Sequence, residues 1–341
     1  MAAHTGHAPT AAETIPVTPD SIMEVARGFM AAKHLFVASS VGIFEALADG
    51  PATLAEIAAR AGITERAARI SADAMAALGF LDVEQSRYSN GAVAATFLAG
   101  RTPADLRPVL RFWDLVSYPA WMQLEPVLRG RWAPQQLSPE LAEVFSAGVE
   151  ALTAGPAQAL AAAYNFTAHH RLLDVGGGTG SITAAIARRH PQIQATVLER
   201  AEVVPLAPRR IQAAGLQSRI SVVAGDALQG PYPAGYDVVL IANLVHYFTP
   251  GQNRRLLELA RAAVSEGGRL LLVDFWTDPA HTSPAPAALM AGEFAVLQEH
   301  GDVYSAEQAR GWLGRTGWRF VEHRPLAGPV SVLVAEATPA R

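Results

Sequence analysis

A glycine-rich segment carries the strongest chemical signal in the sequence. Three glycines at every second position, Gly176, Gly178 and Gly180, follow Asp174 at the end of a short apolar run. An alanine-rich helical pattern begins immediately afterwards. Glycine at such a turn adopts positive φ readily and lets a ligand approach the main chain where a Cβ would collide. The spacing therefore predicts a strand, a tight turn and a helix N-terminus that hold a ligand closely.

The class of this ligand follows from what the segment lacks. The dinucleotide fingerprint G-x-G-x-x-G would need a third glycine at position 181, where the sequence has Ser181. No Gly-Lys-Ser/Thr ending follows, as the phosphate-binding loop of nucleotide hydrolases would require. Asp174 would repel a polyphosphate, whereas it suits a cationic or ammonium-bearing ligand. The segment resembles the first motif of Rossmann-like S-adenosylmethionine-dependent methyltransferases, which implies S-adenosylmethionine as the ligand.

Further polar residues stand where the next strands are expected to end. Glu199 closes a second strand, Asp226 closes a third just before Ala227, Asn243 ends a fourth, and Asp274 ends a fifth. The carboxyl ends of parallel strands share one edge of a sheet, where such folds bind ligands. Glu199 has the spacing at which an acid binds both hydroxyls of a ribose, and Asp226 could accept from an adenine amino group. We therefore predict a nucleoside-bearing ligand at this edge.

Alternating strand and helix patterns must position these residues. After the glycine turn, strands are predicted at 195–199, 220–226, 236–243 and 267–274, with a closing pair at 318–321 and 330–335. Helices are predicted at 182–189, 203–214 and 249–264. This alternation indicates an α/β fold with a parallel sheet covered by helices on both faces.

The preceding part of the chain has a different organisation. Residues 1–20 lack periodicity and are predicted to be a disordered tail. Residues 21–47 predict two helices that are apolar over a wide arc, so they need a partner, either the same domain or a second subunit. Thr53 with Glu56 forms a capping box that opens a helix-turn-helix pattern, and a short strand pair follows. The pattern predicts a winged helix.

A winged helix alone would suggest a DNA-binding regulator, but its balance of charges does not favour DNA binding. The recognition-like helix carries Arg66 and Arg69 against Glu65 and Asp73. Phosphate contacts supply most of the affinity for DNA, and this balance offers few of them. No nucleic-acid partner is therefore expected. A ligand-responsive transcriptional regulator is kept as the alternative from a different class of protein.

The stretch from 106 to 165 is predicted to be helical with aromatic and proline interruptions. Its large apolar residues either belong to the core or line a pocket for an apolar substrate at the domain junction, and the pattern leaves both open. The candidate pocket residues are Phe112, Trp113, Met122, Phe145, Met290, Phe294 and Leu297.

Composition excludes several classes of protein. The 27 basic and 31 acidic residues give a net charge of -4, without a basic cluster for nucleic acid or lipid headgroups. The absence of cysteine excludes thiol nucleophiles, thiolate metal sites and disulfides. No apolar run approaches the roughly 20 residues that span a bilayer, and the first residues lack the pattern of a signal peptide. A cytoplasmic protein without a membrane partner is predicted.

A second motif extends the resemblance to most of the chain. The segment Leu244-Val-His246-Tyr-Phe248, followed by a capped helix and a strand ending at Asp274, resembles the catalytic segment of plant-type small-molecule O-methyltransferases. That family includes the caffeate and acetylserotonin enzymes and many bacterial antibiotic-tailoring enzymes. The winged-helix region resembles the family's dimerisation domain. The resemblance implies a homodimer with a Rossmann-like class I methyltransferase sheet.

The resemblance also implies roles for individual residues. His246 matches the family's catalytic base, Asp274 an acidic residue that orients it, and Glu199 and Asp226 the acids that bind S-adenosylmethionine. Two positions depart from the pattern. Tyr247-Phe248 replaces the usual acid and tryptophan after the histidine, and the third family acid corresponds at best to Asp302.

Two mechanisms are compatible with these residues. In the first, His246 acts as a general base that removes the proton of a hydroxyl acceptor in secondary metabolism. In the second, His246, Asp274 and His300 bind a divalent metal as two histidines and a carboxylate. Such a metal would bind a 2-oxo acid and ease enolisation, which would allow methylation at carbon. O-methylation is preferred because it requires less.

The sequence thus predicts four segments. Residues 1–20 form the disordered tail, 21–105 the winged-helix dimerisation domain, 106–165 a helical linker lining the substrate pocket, and 166–341 the S-adenosylmethionine-binding catalytic domain.

Overall fold

The computed structural model describes residues 17–339, and these divide into two compact units with the boundary between Ala99 and Gly100. Most of the predicted tail lies outside the described residues, and the first helix begins at Asp20. The domain bounds predicted from the sequence stay predictions.

The first unit is helical with a two-stranded wing. Its elements are α1 Asp20–Ser40, α2 Ile43–Ala46, α3 Leu54–Ala61, α4 Glu65–Ala77, β1 Leu81–Glu84, β2 Arg87–Asn90 and α5 Ala92–Phe97. Thr53 and Glu56 form the expected capping box at the start of α3. Gly62, at φ 66°, ends α3 in the left-handed conformation that glycine adopts without strain. Helix-turn-helix and wing therefore follow the predicted order.

The second unit begins with helices and continues as an α/β sheet. Its helices are α6 Arg107–Phe112, α7 Tyr118–Trp121, α8 Leu124–Leu128, α9 Pro139–Ala163, α10 Ser181–Arg189, α11 Ala207–Ala213, α12 Pro250–Ala263, α13 Ala285–Leu297 and α14 Ala306–Arg315. Its strands are β3 Arg171–Val175, β4 Gln194–Glu199, β5 Ile220–Ala224, β6 Tyr236–Ala242, β7 Val264–Phe275, β8 Trp318–Pro325 and β9 Val330–Ala337. A π-helical turn, Trp113–Ser117, joins α6 to α7.

The sheet has the order β5-β4-β3-β6-β7-β9-β8. Strands β3 to β7 run parallel, and the closing pair β8 and β9 is antiparallel. In register, Asp174 of β3 lies between Val197 of β4 and Leu240 of β6. The strand order reverses between β3 and β6, and α/β folds bind ligands at the carboxyl edge of such a switch point. The glycine turn lies at that point.

Helices cover both faces of the sheet because neighbouring residues of its inner strands point in opposite directions. Leu172 of β3 packs in a cluster with Ile186 of α10, whereas Leu173 packs on the other side with Leu256 of α12. Leu172 and Leu173 are both fully buried. This burial on two faces explains why the inner strands are apolar runs instead of alternating patterns.

One predicted helix differs in the structure. The helix expected at 203–214 is split into a 3-10 turn, Val204–Leu206, and α11. Pro205 falls within that turn and Pro208 within the first turn of α11, and proline lacks the N–H that a continuous α-helix would use. The helix therefore restarts at Ala207.

Candidate active site

The glycine turn after β3 has the backbone that the sequence predicted. Gly176, Gly178 and Gly180 have φ values of 69°, 57° and 79°. A Cβ at Gly178 would meet no atom within 4 Å, so the main chain there is open to a ligand. Sequence reasoning gave no role to Gly177, where a Cβ would lie 2.4 Å from Asp174 Oδ2. A larger residue at position 177 would therefore collide with the Asp174 carboxyl, which lies beneath the turn.

Asp174 is 1% exposed and incompletely hydrogen-bonded. Thr183 Oγ1 donates to Asp174 Oδ2 at 2.6 Å, while Oδ1 is buried and has no partner in the described structure. Burial, together with the nearby charge of Glu199, raises the pKa of Asp174 to about 7. An orphaned buried acceptor next to an open glycine turn fits a ligand that brings an N–H donor or a positive charge.

Glu199 and Asp226 lie at the same edge of the sheet, after neighbouring strands. Glu199 is the last residue of β4, and Asp226 follows β5 by two positions. The N–H of Gly178 donates to Glu199 Oε2 at 2.8 Å, so Glu199 lies directly at the glycine turn. Asp226 is exposed and accepts from the N–H of Leu228 at 2.7 Å. Both acids therefore lie at the carboxyl ends of neighbouring parallel strands, and their roles in cofactor binding stay predictions.

Two further predicted residues lie at this edge. Asn243 follows β6 at φ 50°, and its N–H donates to the carbonyl of Val273 at 2.8 Å. Positive φ is tolerated by asparagine better than by most residues, and it turns the chain at the end of the strand. Ala227 is half-buried against the core. Their roles in cofactor binding stay predictions.

His246 and Asp274 form a buried pair. His246 lies in a 3-10 turn, Val245–Tyr247, and Asp274 lies near the end of β7. The two are 5% and 1% exposed, and His246 Nδ1 lies 2.7 Å from Asp274 Oδ1. The carboxylate also accepts from the N–H groups of Val245 at 3.1 Å and Phe275 at 2.8 Å. With Nδ1 donating to Asp274, Nε2 is the nitrogen that can accept a proton.

Phe294 of α13 covers the imidazole. Its ring stacks on that of His246 with centroids 3.7 Å apart and planes 8° apart. Phe294 is 7% exposed. The stack and the bond to Asp274 together fix the orientation of the His246 ring.

The turn that carries His246 is held by side chains that the sequence did not single out. Asn253 of α12 donates from Nδ2 to the carbonyls of Val245 at 3.0 Å and Phe248 at 3.1 Å. Tyr304 donates its hydroxyl to the same Phe248 carbonyl at 2.6 Å. The capped helix after the turn was visible in the sequence, but the inward direction of Asn253 was not.

The residues that depart from the family pattern also lie here. The N–H of Asp302 donates to the carbonyl of His246 at 3.1 Å, so this residue contacts the turn through its backbone. The ring of Tyr247 lies 4.6 Å from that of His246. Burial, with Asp274 as the next contribution, raises the pKa of Tyr247 to about 12, so its hydroxyl stays protonated near neutral pH.

The alternative of a metal bound by His246, Asp274 and His300 finds no support in the described residues. Within residues 17–339 no three His, Cys, Asp or Glu side chains come close enough to hold a metal ion. His300 is exposed beyond the end of α13, whereas His246 is buried beneath Phe294. The sequence placed His300 near the pair from its segment alone, which does not give the direction of the side chain.

The predicted pocket residues divide between core and surface. Phe112 is 4% exposed and packs edge-to-face on Phe145 with centroids 5.2 Å apart. Met122 is 73% exposed. Trp113, Met290 and Leu297 are half-buried. Their contact with an acceptor stays a prediction, and Phe294 is the one whose ring lies on His246.

Comparisons with known proteins show the family of the chain. The family model of the O-methyltransferase domain matches residues 126–319, and that of the O-methyltransferase dimerisation domain matches residues 23–100. The 3-hydroxy-5-methyl-1-naphthoate 3-O-methyltransferase of Streptomyces sahachiroi is 32% identical over 321 residues, which are 91% of this chain and 92% of that protein. The tetracenomycin polyketide synthesis 8-O-methyl transferase TcmO of Streptomyces glaucescens is 28% identical, over 93% of this chain and 96% of that protein.

A solved structure has the same fold. The S-adenosylmethionine-dependent methyltransferase SibL, crystallised in its apo form, is 31% identical. It superposes with a TM-score of 0.81 over 94% of this chain and 100% of that chain.

The fold and the site define a Rossmann-like class I methyltransferase. The chain belongs to the O-methyltransferase family and carries that family's dimerisation domain. The predicted family, fold class and S-adenosylmethionine-dependent methyltransferase activity are confirmed, whereas the alternative of a transcriptional regulator finds no support. No helix among the described residues is long and apolar enough to cross a membrane.

Proposed function

We propose that this protein methylates a hydroxyl group of a small aromatic molecule of secondary metabolism, with His246 as the general base. The observation that carries the proposal is the 2.7 Å contact between His246 Nδ1 and Asp274 Oδ1 at a buried position. A carboxylate on one ring nitrogen fixes the tautomer in which the other nitrogen accepts a proton. One relative is named for a hydroxynaphthoate acceptor and another for tetracenomycin polyketide synthesis, and both names support an aromatic acceptor.

The carboxyl edge of the sheet would hold S-adenosylmethionine. Asp174, with its unpartnered Oδ1, would face the ammonium end, Glu199 the ribose hydroxyls and Asp226 the adenine amino group. When bound, the cofactor supplies an electrophilic methyl group on a sulfonium. The glycine turn lets the main chain approach it, because three residues there have positive φ.

His246 would take the acceptor proton onto Nε2. A positioned base contributes about a hundredfold to ten-thousandfold to such a step. Asp274 stabilises the resulting imidazolium, since its Oδ1 already accepts from Nδ1. Phe294 covers one face of the ring and keeps water from it. Holding the acceptor oxygen in line with the methyl group is the remaining contribution of the protein.

We also propose a homodimer formed through α1. Several apolar residues of this helix are strongly exposed, among them Ile22 at 70%, Val25 at 81% and Phe29 at 53%. Positions 22, 25 and 29 share one face of a helix. An exposed apolar patch of this kind is typical of a protein interface. The match of residues 23–100 to a dimerisation domain supports a second copy of the chain as the partner. The cytoplasmic location stays a prediction from the sequence.

Calorimetry with S-adenosylhomocysteine tests the cofactor site. We expect Glu199→Ala and Asp226→Ala to weaken binding at least tenfold, because each loses a charged acceptor worth about 1.5 to 3 kcal/mol. Glu202→Ala is the matched control, since Glu202 is exposed and only three positions beyond Glu199. Equal affinity in all four proteins would contradict the assignment of these acids.

A further inference from the structure

Glu293 is a buried carboxylate for which the mechanism above has no use. It lies on α13 and is 6% exposed. Among the described residues, the buried acids are Asp174, Asp274 and Glu293. The first two already have proposed roles at the cofactor and the base. An ionised group is expensive to bury, so the third one needs a physical reason.

Two neutral donors hold the Glu293 carboxylate in place. Ser117 Oγ donates to Oε1 at 2.5 Å, and Trp121 Nε1 donates to Oε2 at 2.5 Å. A Cβ at Gly292 would lie 2.6 Å from the Trp121 ring, so glycine there lets the indole lie against α13. Ser117 belongs to the π-helical turn, a feature that is frequent at functional sites. The carboxylate therefore has a built environment with a defined orientation.

The charge of Glu293 has no cationic partner in the part of the chain that the structure describes. Within residues 17–339 no Arg, Lys or His forms an ion pair with it. Burial raises its pKa, and only the two neutral donors act in the opposite direction. Each carboxylate oxygen has two lone pairs, and each accepts one bond. Acceptor capacity thus remains for a donor that comes from outside the chain.

Glu293 lies near His246, the proposed base. The next residue, Phe294, stacks on the His246 ring. The negative charge of Glu293 also contributes to the raised pKa of Tyr247, the residue after His246. The carboxylate and the proposed base therefore lie in the same neighbourhood of the catalytic unit.

We propose that Glu293 is the residue that recognises the methyl acceptor. Its carboxylate accepts a hydrogen bond from a second donor group, a hydroxyl or an amine, that the acceptor carries beside the hydroxyl to be methylated. It also disfavours acceptors with a carboxylate at that place, because two anions would share a poorly solvated site. This inference rests on the proposed hydroxyl methylation with His246 as base. It specifies the acceptor as one with a hydrogen-bond donor beside the reacting hydroxyl.

Three acceptors of one scaffold test the proposal: 2,3-dihydroxynaphthalene, 2-naphthol and 3-hydroxy-2-naphthoate. They place a donor, a hydrogen and a carboxylate beside the reacting hydroxyl. The wild-type enzyme should prefer the dihydroxy compound over 2-naphthol in kcat/KM by about 10- to 100-fold, the usual range for a hydrogen bond to a charged group. The naphthoate should be the poorest of the three.

Glu293→Gln is the informative variant. The Trp121 N–H can only donate, so the glutamine carbonyl must face it and the amide NH₂ must face Ser117 and the acceptor. We expect the preference for the dihydroxy compound to fall at least about tenfold and the naphthoate to gain, with unchanged affinity for S-adenosylhomocysteine. Glu299→Gln, on the exposed segment after α13, is the matched control and should keep the wild-type ratios.

The ratios of kcat/KM between the three acceptors distinguish a role of Glu293 in acceptor recognition from a purely structural role. An equal loss on all three acceptors, or unchanged ratios, would overturn the proposal, as would wild-type enzyme that methylates none of them. If Glu293→Gln does not fold, Ser117→Ala, which removes one donor from the carboxylate, should shift the same ratio. Unchanged ratios in that variant would overturn the proposal too. Failure of the wild-type protein to bind S-adenosylhomocysteine would instead contradict the proposed function itself.

Discussion

Replacement of His246 by alanine should abolish most turnover while leaving the cofactor site intact. The imidazole is 5% exposed, and Asp274 Oδ1 lies 2.7 Å from its Nδ1. After the change, the Asp274 carboxylate keeps the N–H donors of Val245 and Phe275, so the local backbone keeps its support. We expect kcat to fall about 100- to 10,000-fold, which is about 3 to 5 kcal/mol of activation free energy.

The assay compares acceptors that need a base with one that does not. Single-turnover methyl transfer would be measured with 2-naphthol and with 2,4-dinitro-1-naphthol, whose hydroxyl is already ionised at neutral pH. The loss should be large for 2-naphthol and less than about tenfold for the ionised acceptor, because only the first requires proton removal. His170→Ala is the matched control, since His170 is exposed just before the start of β3, away from the carboxyl edge.

Two results would contradict the assignment of His246 as the general base. An equal loss with both acceptors would show that His246 does not act by removing a proton. A simultaneous loss of S-adenosylhomocysteine affinity would show that His246 supports the cofactor site. Either outcome would contradict the role of His246 as the general base.

Three further predictions follow from the structure. Because the pKa of Asp174 is raised to about 7 from 3.8, the folded state binds more protons than the unfolded state between these values, and stability falls as pH rises. Urea unfolding of Asp174→Asn between pH 5 and 7 should show a smaller decrease of the unfolding free energy with pH than the wild type, and an equal pH dependence in both proteins would contradict this. Asn253→Ala removes two hydrogen bonds from the His246 turn; kcat should fall at least about threefold and stability by about 1 to 3 kcal/mol, and an unchanged kcat would argue against positioning. Val25→Asp should give monomers in sedimentation, whereas Val83→Asp, at an exposed position on the wing, should not.

The main architecture could be predicted because its signals are local. The glycine spacing, the acids at strand ends and the capping boxes each occupy a few consecutive residues. The sheet then brings Glu199 and Gly178 into contact across 21 positions, as parallel strands with a shared carboxyl edge require. Periodicity and capping were therefore sufficient for the fold and for the contact of Glu199 with the glycine turn.

The details of the base depended on contacts that no local pattern encodes. Tyr304 reaches the Phe248 carbonyl across 56 positions, and Trp121 reaches Glu293 across 172. An apolar helix such as α13 gives no sign that its single acid, Glu293, points inward. The exposure of His300 could not be predicted for the same reason, since a loop position does not fix the direction of a side chain. Tertiary packing decides these cases.

The most direct test of the account is a crystal structure with S-adenosylhomocysteine and 2,3-dihydroxynaphthalene bound. We expect the nucleoside between Glu199 and Asp226, one acceptor hydroxyl within about 3 Å of His246 Nε2, and the other at the Glu293 carboxylate. A nucleoside elsewhere on the sheet, or an acceptor whose hydroxyls both point away from His246, would contradict it.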